Sequence, residues 1–244
     1  MASAGQAPPR CKRRFPVAVK VKPSFGLPVK HITFYFDFIS PYAYLAFEKL
    51  PQALQGHSYS VTYQPVLFAG LLKHHGQLGP AEIAGKREWT YRQVMWLAER
   101  HGTPLLMPKT HPFNPLALLR LAFAAAPLGV DGGTPNRFVC ESIFRHVWQS
   151  GLDAGDLARL AQLVAQLQPA LGFDDAALKE RLKTSTQQAI DSGVFGVPTL
   201  RVDGKLFWGL DALPMLRDYL DQTPWFVSPA WHDAAQVPVG QART

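Results

Sequence analysis

Ser40, Pro41, Tyr42 and Ala43 stand where an apolar run at 31–38 (HITFYFDF) meets a segment with helical spacing at 42–54. Serine can cap the unpaired amides of a first helical turn, and proline fits the first helical position because its missing N–H costs nothing there. A helix N-terminus carries free N–H groups and about half a positive charge, so it stabilises anions, a thiolate included. A hydroxyl at that point can also donate a hydrogen bond to a sulfur anion brought in by a ligand. Ser40 thus has two readings, a plain helix cap or a thiolate-holding group, and the local pattern leaves both open. The second chemical feature is Gly196-Val197-Pro198-Thr199. If the bond before Pro198 is cis, the backbone of Val197 is free to pair with an extended peptide. The plain alternative is a turn proline that starts a strand.

Other reactive side chains are less organised. Cys11 and Cys140 are far apart and neither belongs to a C-x-x-C pair, so a disulfide scaffold, a zinc ribbon and a dithiol centre are unsupported. His74 and His75 lack further ligands at metal-binding spacing and read as a solvated helix end. His101 and His111 flank a proline-rich loop and read as surface residues. Trp89, Tyr91 and Trp96 recur at helical spacing, as core or pocket wall. Asp37 beside the serine is either a buried acid that tunes the site or a strand-end residue facing the turn.

These groups need elements to position them. After the strand at 31–38 and the helix at 42–54, YSVTYQPV at 59–66 is a second strand, giving a β-α-β unit with a right-handed crossover. Apolar residues at three- and four-residue spacing then mark helices at 86–101, 115–126, 135–149, 154–168 and 174–190. PTLRV at 198–202, Asp203-Gly204 and 205–208 form a strong hairpin signal, followed by a helix at 211–220. Two halves of one mixed sheet separated by helices is the thioredoxin-like arrangement, with the insertion placed as in its DsbA-like branch. The expected fold is therefore α/β, a thioredoxin-like mixed sheet with a large all-helical insertion. The expected division is a basic N-terminal extension at 1–30, a discontinuous thioredoxin-like domain at 31–66 and 191–222, a helical insertion at 67–190, and an irregular tail at 223–244. In that fold the serine segment occupies the place of the C-x-x-C pair, and the proline before the hairpin is commonly cis.

Composition is compatible with this. The chain has 244 residues, 47% of them hydrophobic, enough for one sizeable core. Much of the +7 net charge comes from residues 10–30, which hold seven Lys and Arg and no acid, so the basic balance says little about the folded body. A nucleic-acid arm is conceivable there, but a flexible extension is the preferred reading, and no nucleic-acid partner is expected. No apolar run reaches the 18 residues of a membrane span. The expected setting is cytoplasmic, with no membrane association.

The segments FYFDFISPYAYLAFEKL (34–50), FGVPTL (195–200) and FWGLDALPML (207–216) resemble the 2-hydroxychromene-2-carboxylate isomerases and their relatives, the kappa-class glutathione transferases. The resemblance runs from about His31 to Leu220. It implies glutathione as cofactor and a small aromatic acid as substrate, in the breakdown of aromatic compounds. Ser40, with Pro41 and Tyr42 at the helix start, matches the serine that polarises the glutathione thiol. Val197, before Pro198, matches the backbone clamp on the cysteinyl moiety. Gln77 stands where the family usually has asparagine, Lys86 where a lysine pairs with a glutathione carboxylate, and Asn114 where an asparagine lines the substrate side. After the hairpin the family usually shows Gly-Asn/Ser-Asp-Arg at the γ-glutamyl end. This chain has Gly209-Leu210-Asp211-Ala212, so Asp211 and the Leu210 N–H remain while a polar side chain and an arginine are missing.

The implied activity is glutathione-dependent isomerisation of an aromatic 2-oxo acid by reversible thiolate addition. A kappa-like transferase and a non-catalytic glutathione- or peptide-binding module are the alternatives. The oligomeric state stays open, a homodimer included.

Overall fold

The computed structural model describes residues 29–127, 133–172 and 175–240; the basic extension expected at 1–30 lies almost wholly outside them. Four strands form one mixed sheet in the order β2-β1-β3-β4, where β1 is Lys30–Phe36, β2 Tyr59–Pro65, β3 Thr199–Val202 and β4 Lys205–Trp208. β1 pairs parallel with β2, with Phe34 opposite Tyr63, and antiparallel with β3, with Phe34 opposite Leu200. The hairpin falls where Asp-Gly predicts it: Asp203 (φ 48°) and Gly204 (φ 78°) both adopt the left-handed region that a two-residue turn of this hand requires.

Helix α1 (Pro41–Ala53) crosses from β1 to β2. Ser40 is its N-cap and Pro41 occupies the first turn, as the sequence requires. Pro51 lies inside its last turn and cannot donate to the carbonyl of Phe47 four residues back. Arg137 takes that carbonyl instead: its Nη1 donates to Phe47 O (3.3 Å) and to the Tyr63 hydroxyl (3.3 Å), with the guanidinium 4.2 Å from the Phe47 ring centre. A helix irregularity is thereby repaired from the helical block.

That block comprises α2 (Phe68–His74), α3 (Ala84–His101), α4 (Leu116–Ala124), α5 (Arg137–Trp148), α6 (Leu157–Leu167) and α7 (Ala176–Asp191). It shares one core with the sheet. Phe34, Phe36, Phe38, Tyr44 and Phe47 are fully buried together with Phe144 and Trp148 of α5. Their rings meet at 4.8–6.4 Å, from Phe38–Phe144 at 4.8 Å to Tyr44–Trp148 at 6.4 Å. Cys140 sits in the same core, where burial pushes its thiol pKa well up and leaves it an inert apolar residue.

After α8 (Leu213–Leu220) the structure corrects the expectation of an irregular tail at 223–244. A 3-10 turn at Pro224–Val227 leads into α9 (Pro229–Ala234). Trp225, Phe226 and Trp231 form a ring cluster, with Phe226 to Trp231 at 5.3 Å, and Phe226 anchors it on Phe207 at 6.2 Å. Three aromatics within seven residues supply the apolar surface that orders this stretch, which its proline and alanine content obscured. Among the described residues no helix is long and apolar enough to cross a membrane.

Candidate active site

The corner between β1 and α1 is pinned from every side. Asp37 is fully buried; its Oδ1 accepts from Ile39 N (3.1 Å) and its Oδ2 from Phe68 N at the start of α2 (2.9 Å). Burial raises its pKa to about 7 against the opposing pull of those backbone N–H groups. Of the two sequence readings, the buried acid is the one observed. The next carbonyl, Phe38 O, accepts from Trp148 Nε1 (2.9 Å). The one after it, Ile39 O, lies 2.8 Å from His111 Nε2. A carbonyl can only accept, so Nε2 carries the proton, and the His111 Nδ1 lone pair faces the Tyr91 hydroxyl at 2.8 Å. Burial lowers the His111 pKa, which keeps this neutral tautomer. The expectation that His111 is a surface residue is thus corrected: its ring is partly buried beside Trp148 and carries the site loop.

Ser40 closes this corner. It is 7% exposed, its N–H donates to Asp37 O (3.1 Å), and its Oγ accepts from Ala43 N (3.2 Å). The cap uses a lone pair only, and among the described residues no acceptor takes the hydroxyl proton. Pro41 has no N–H, and the amides of Ala43 and Tyr44 are held by Ser40 Oγ and Ser40 O. That proton and the Tyr42 N–H, which has no partner among the described residues, together form an anion-stabilising point at the positive end of α1.

At the same end of the sheet, just before the Thr199–Tyr35 pair of β3 and β1, the Val197–Pro198 bond is cis, as the sequence reading expects. Pro198 O accepts from Gly209 N (2.9 Å), and Thr199 Oγ1 donates to Gly196 O (2.7 Å). A Cβ at Gly196 would come within 2.7 Å of Trp208 Nε1, so a larger residue there requires the half-exposed indole to shift.

A cleft of about 790 Å³ begins two residues beyond Ser40, at Tyr42; Ser40 and Pro41 are buried behind it and are not among its lining residues. Of the residues singled out in the sequence, it gathers Tyr42, Trp96, His101, Val197, Pro198, Leu210 and Asp211 into its lining. The Tyr42 hydroxyl donates to Gln93 Oε1 of α3 at 2.5 Å, and burial raises its pKa, with the negative charge of Asp211 adding to the rise. Leu210 and Asp211 stand on a 3-10 turn, Leu210–Ala212, where the Asp211 carboxylate folds back over Gly209 (φ 98°).

Gln77, Lys86 and Asn114 are exposed and are not among the lining residues. The Asn114 Oδ1 accepts from Leu116 N (3.0 Å), a local bond two residues on that turns the chain into α4. Lys86 shares a helical face with Gln93, Leu97 and Arg100, which do line the cleft, and lies two turns, roughly 10 Å, before Gln93 along α3. Sequence reasoning missed the three cations of the lining, Lys49, Arg100 and Arg217, and the partners of the corner, His111 and Trp148. The 86/93/97/100 spacing was the signal that could have exposed Arg100.

Comparison with known proteins shows the family and the fold. The model of the DSBA-like thioredoxin domain family matches residues 31–221. A 2-hydroxychromene-2-carboxylate isomerase of Pseudomonas putida is 31% identical over 197 residues, covering 76% of this chain and 91% of its own. Glutathione S-transferase kappa 2 of Caenorhabditis elegans is 25% identical over 208 residues, covering 78% and 92%. Among solved structures, a 2-hydroxychromene-2-carboxylate isomerase superposes with a TM-score of 0.68 at 24% identity, over 86% of this chain and all of that one.

Proposed function

Since the chain belongs to the DsbA-like thioredoxin family and, within it, to the 2-hydroxychromene-2-carboxylate isomerases, we propose that it is a glutathione-dependent isomerase of an aromatic 2-oxo acid. The observation that carries this reading is Ser40. A site of this fold with no cysteine at the helix start retains a hydroxyl whose proton is uncommitted, at the positive end of α1. That suits a thiol supplied from outside and does not suit disulfide exchange.

The residues present fit glutathione. Ser40 and the Tyr42 N–H hold the sulfur as anion, the Val197 backbone faces the cysteinyl unit, and Asp211 and the Leu210 N–H meet the γ-glutamyl end. Leu210 and Ala212, where the family usually has a polar residue and arginine, leave that end with fewer side-chain bonds. Gln77 and Lys86 would serve from the outer end of α3 and the loop before it, and Asn114 from the substrate side. When bound, glutathione supplies a thiolate that adds reversibly to the substrate alkene, so that the former double bond can rotate before the thiol leaves. Ser40 steadies the thiolate before addition and after elimination. Asp37, Trp148 and His111 keep Ser40 in place.

The test is to incubate the protein with 2-hydroxychromene-2-carboxylate, with and without glutathione, and to follow the ultraviolet spectrum. Isomerisation that requires glutathione and leaves its concentration unchanged supports the reading. The 25% identity to a kappa-class transferase favours one second reading, transfer of the same thiolate to an electrophile, which the same assay reveals as glutathione consumed one for one.

A further inference from the structure

The cleft has two chemically different ends. Three helices run along it in the same direction, as their contacts with one another establish. At the near end Tyr42 of α1 bonds Gln93 of α3 and senses the charge of Asp211. At the far end Lys49 Nζ donates to His101 O (3.0 Å) at the end of α3, and Arg217 Nη1 of α8 donates to Ala53 O (2.8 Å) at the end of α1. The α1 wall from Tyr42 to Ala53 spans eleven residues, about 16 Å, and the wall from Asp211 to Arg217 about 9 Å. Asp211 therefore marks the near end, and Lys49, Arg100 and Arg217 mark the far end.

The far end is cationic beyond what its own contacts use. Arg217 satisfies two carbonyls and lies 3.6 Å from Asp221, and Lys49 donates to Gln52 Oε1 and His101 O. Arg100 is exposed and, among the described residues, has no carboxylate partner; its guanidinium lies 5.4 Å from the ring centre of Trp96, itself 55% exposed. Trp96, Leu97 and Pro214 make the rest of that end apolar. A flat aromatic surface bordered by an uncommitted guanidinium fits an aromatic ring bearing a carboxylate.

We propose that the Arg100–Trp96 end of the cleft, supported by Lys49 and Arg217, is the subsite for the acid group of the aromatic acceptor. The assignment rests on the functional reading above, because the near end is then left to glutathione. The ammonium and carboxylate of a γ-glutamyl head sit on one carbon, so a head anchored at Asp211 does not place its carboxylate at the far end of the α8 wall.

The test uses salicylate and its uncharged analogue salicylamide as probes, with tryptophan fluorescence reporting binding, and glutathione measured separately by thiolate absorbance. Wild type is expected to bind salicylate at least tenfold more tightly than salicylamide. In Arg100→Glu, at the exposed surface of α3, that preference disappears, a loss of about ten- to a hundredfold, while the glutathione affinity stays within twofold. Arg100→Lys should restore part of the preference. Equal binding of the two probes by wild type, or a preference that survives Arg100→Glu, overturns the subsite. So does a variant whose glutathione affinity falls instead, since the cations would then hold the tripeptide. Salicylate selectivity without any glutathione binding sustains the subsite and sinks the functional reading.

Discussion

The two sides of the cleft are built on opposite principles. The β1–α1 corner is buried, and the backbone carbonyls that approach it are claimed by side chains from distant parts of the chain: Trp148 on Phe38, His111 on Ile39. The opposite side, formed by α3 and the 3-10 turn at Leu210–Ala212, presents Trp96, Arg100 and Asp211 to solvent with few bonds between them. The difference teaches where precision is needed. A thiolate-holding hydroxyl must be fixed to within a fraction of an ångström. A surface that receives part of a small substrate can be adjusted one residue at a time without loosening the fold.

The severest way to break the comparison is Trp148→Ala. The indole is fully buried, packs on Tyr44 at 6.4 Å, and donates to Phe38 O. Its removal leaves a cavity and an unsatisfied carbonyl, and the expected loss is about 3–5 kcal/mol of unfolding free energy, read by denaturant titration. An equal loss from Trp96→Ala would erase the contrast between the two sides; the expected loss there is below about 1 kcal/mol, because the ring is already half in water.

Asp37 supplies a pH test of the buried side. Its carboxyl titrates near 7 in the folded chain against 3.8 for an unperturbed aspartate, so between these values the folded state holds the proton more tightly. Unfolding then releases a proton, and Asp37 makes stability fall as pH rises from about 4 to 7, with the penalty complete above 7. Asp37→Asn stays neutral and loses that slope, though the amide can accept only through its oxygen and forfeits one of the two backbone bonds. Relative to wild type, the variant should therefore gain stability steadily from pH 4 to 7. A difference between the two that is flat with pH would mean that the carboxyl is already ionised in the fold.

Ser40→Ala separates the cap from the chemistry. A charge-assisted hydrogen bond of roughly 1.5–3 kcal/mol corresponds to a rise of about one to two units in the bound thiol pKa. Turnover near neutral pH should fall accordingly and recover as pH approaches the free-thiol value. Ser40→Cys should instead exchange with oxidised glutathione, its thiolate displacing one molecule of reduced glutathione to leave a mixed disulfide detectable by mass. Unchanged thiol titration in the alanine variant would leave Ser40 a helix cap.

These residues were not equally legible. The β-α-β unit, the Ser-Pro helix start, the cis proline and the Asp-Gly hairpin are written in adjacent residues, because each follows from backbone preferences over two to eight positions. His111 was not, since its role depends on Ile39 and Tyr91, which are 72 and 20 residues away and reach it only in the folded chain. Lys49 and Arg217 were hidden for the same reason: both look like ordinary surface charges until α1, α3 and α8 are laid side by side. The helix α9 escaped because its order comes from Trp231 packing on Trp225 and Phe226, the latter resting on Phe207, and not from propensity.

The smallest expected effect tests whether the open side extends to the start of α3. Lys86 is exposed, on the helical face that continues to Gln93 and Arg100, and it is the position where the family resemblance puts a lysine facing a glutathione carboxylate. Lys86→Ala should leave stability within about 0.5 kcal/mol, as for other surface substitutions without partners. A solvated ion pair is worth about 0.2–1 kcal/mol, so the glutathione KM should rise only about 1.5- to fivefold. The effect should fade as salt is raised from about 10 mM to 1 M, over which the screening length falls from roughly 30 Å to 3 Å. Salicylate selectivity should not change, because Arg100 lies four turns further along the same helix. If Lys86→Ala alters salicylate binding and spares glutathione, the two ends of the open side have been assigned in the wrong order. If it alters neither at low salt, the glutathione contact ends at Gln93.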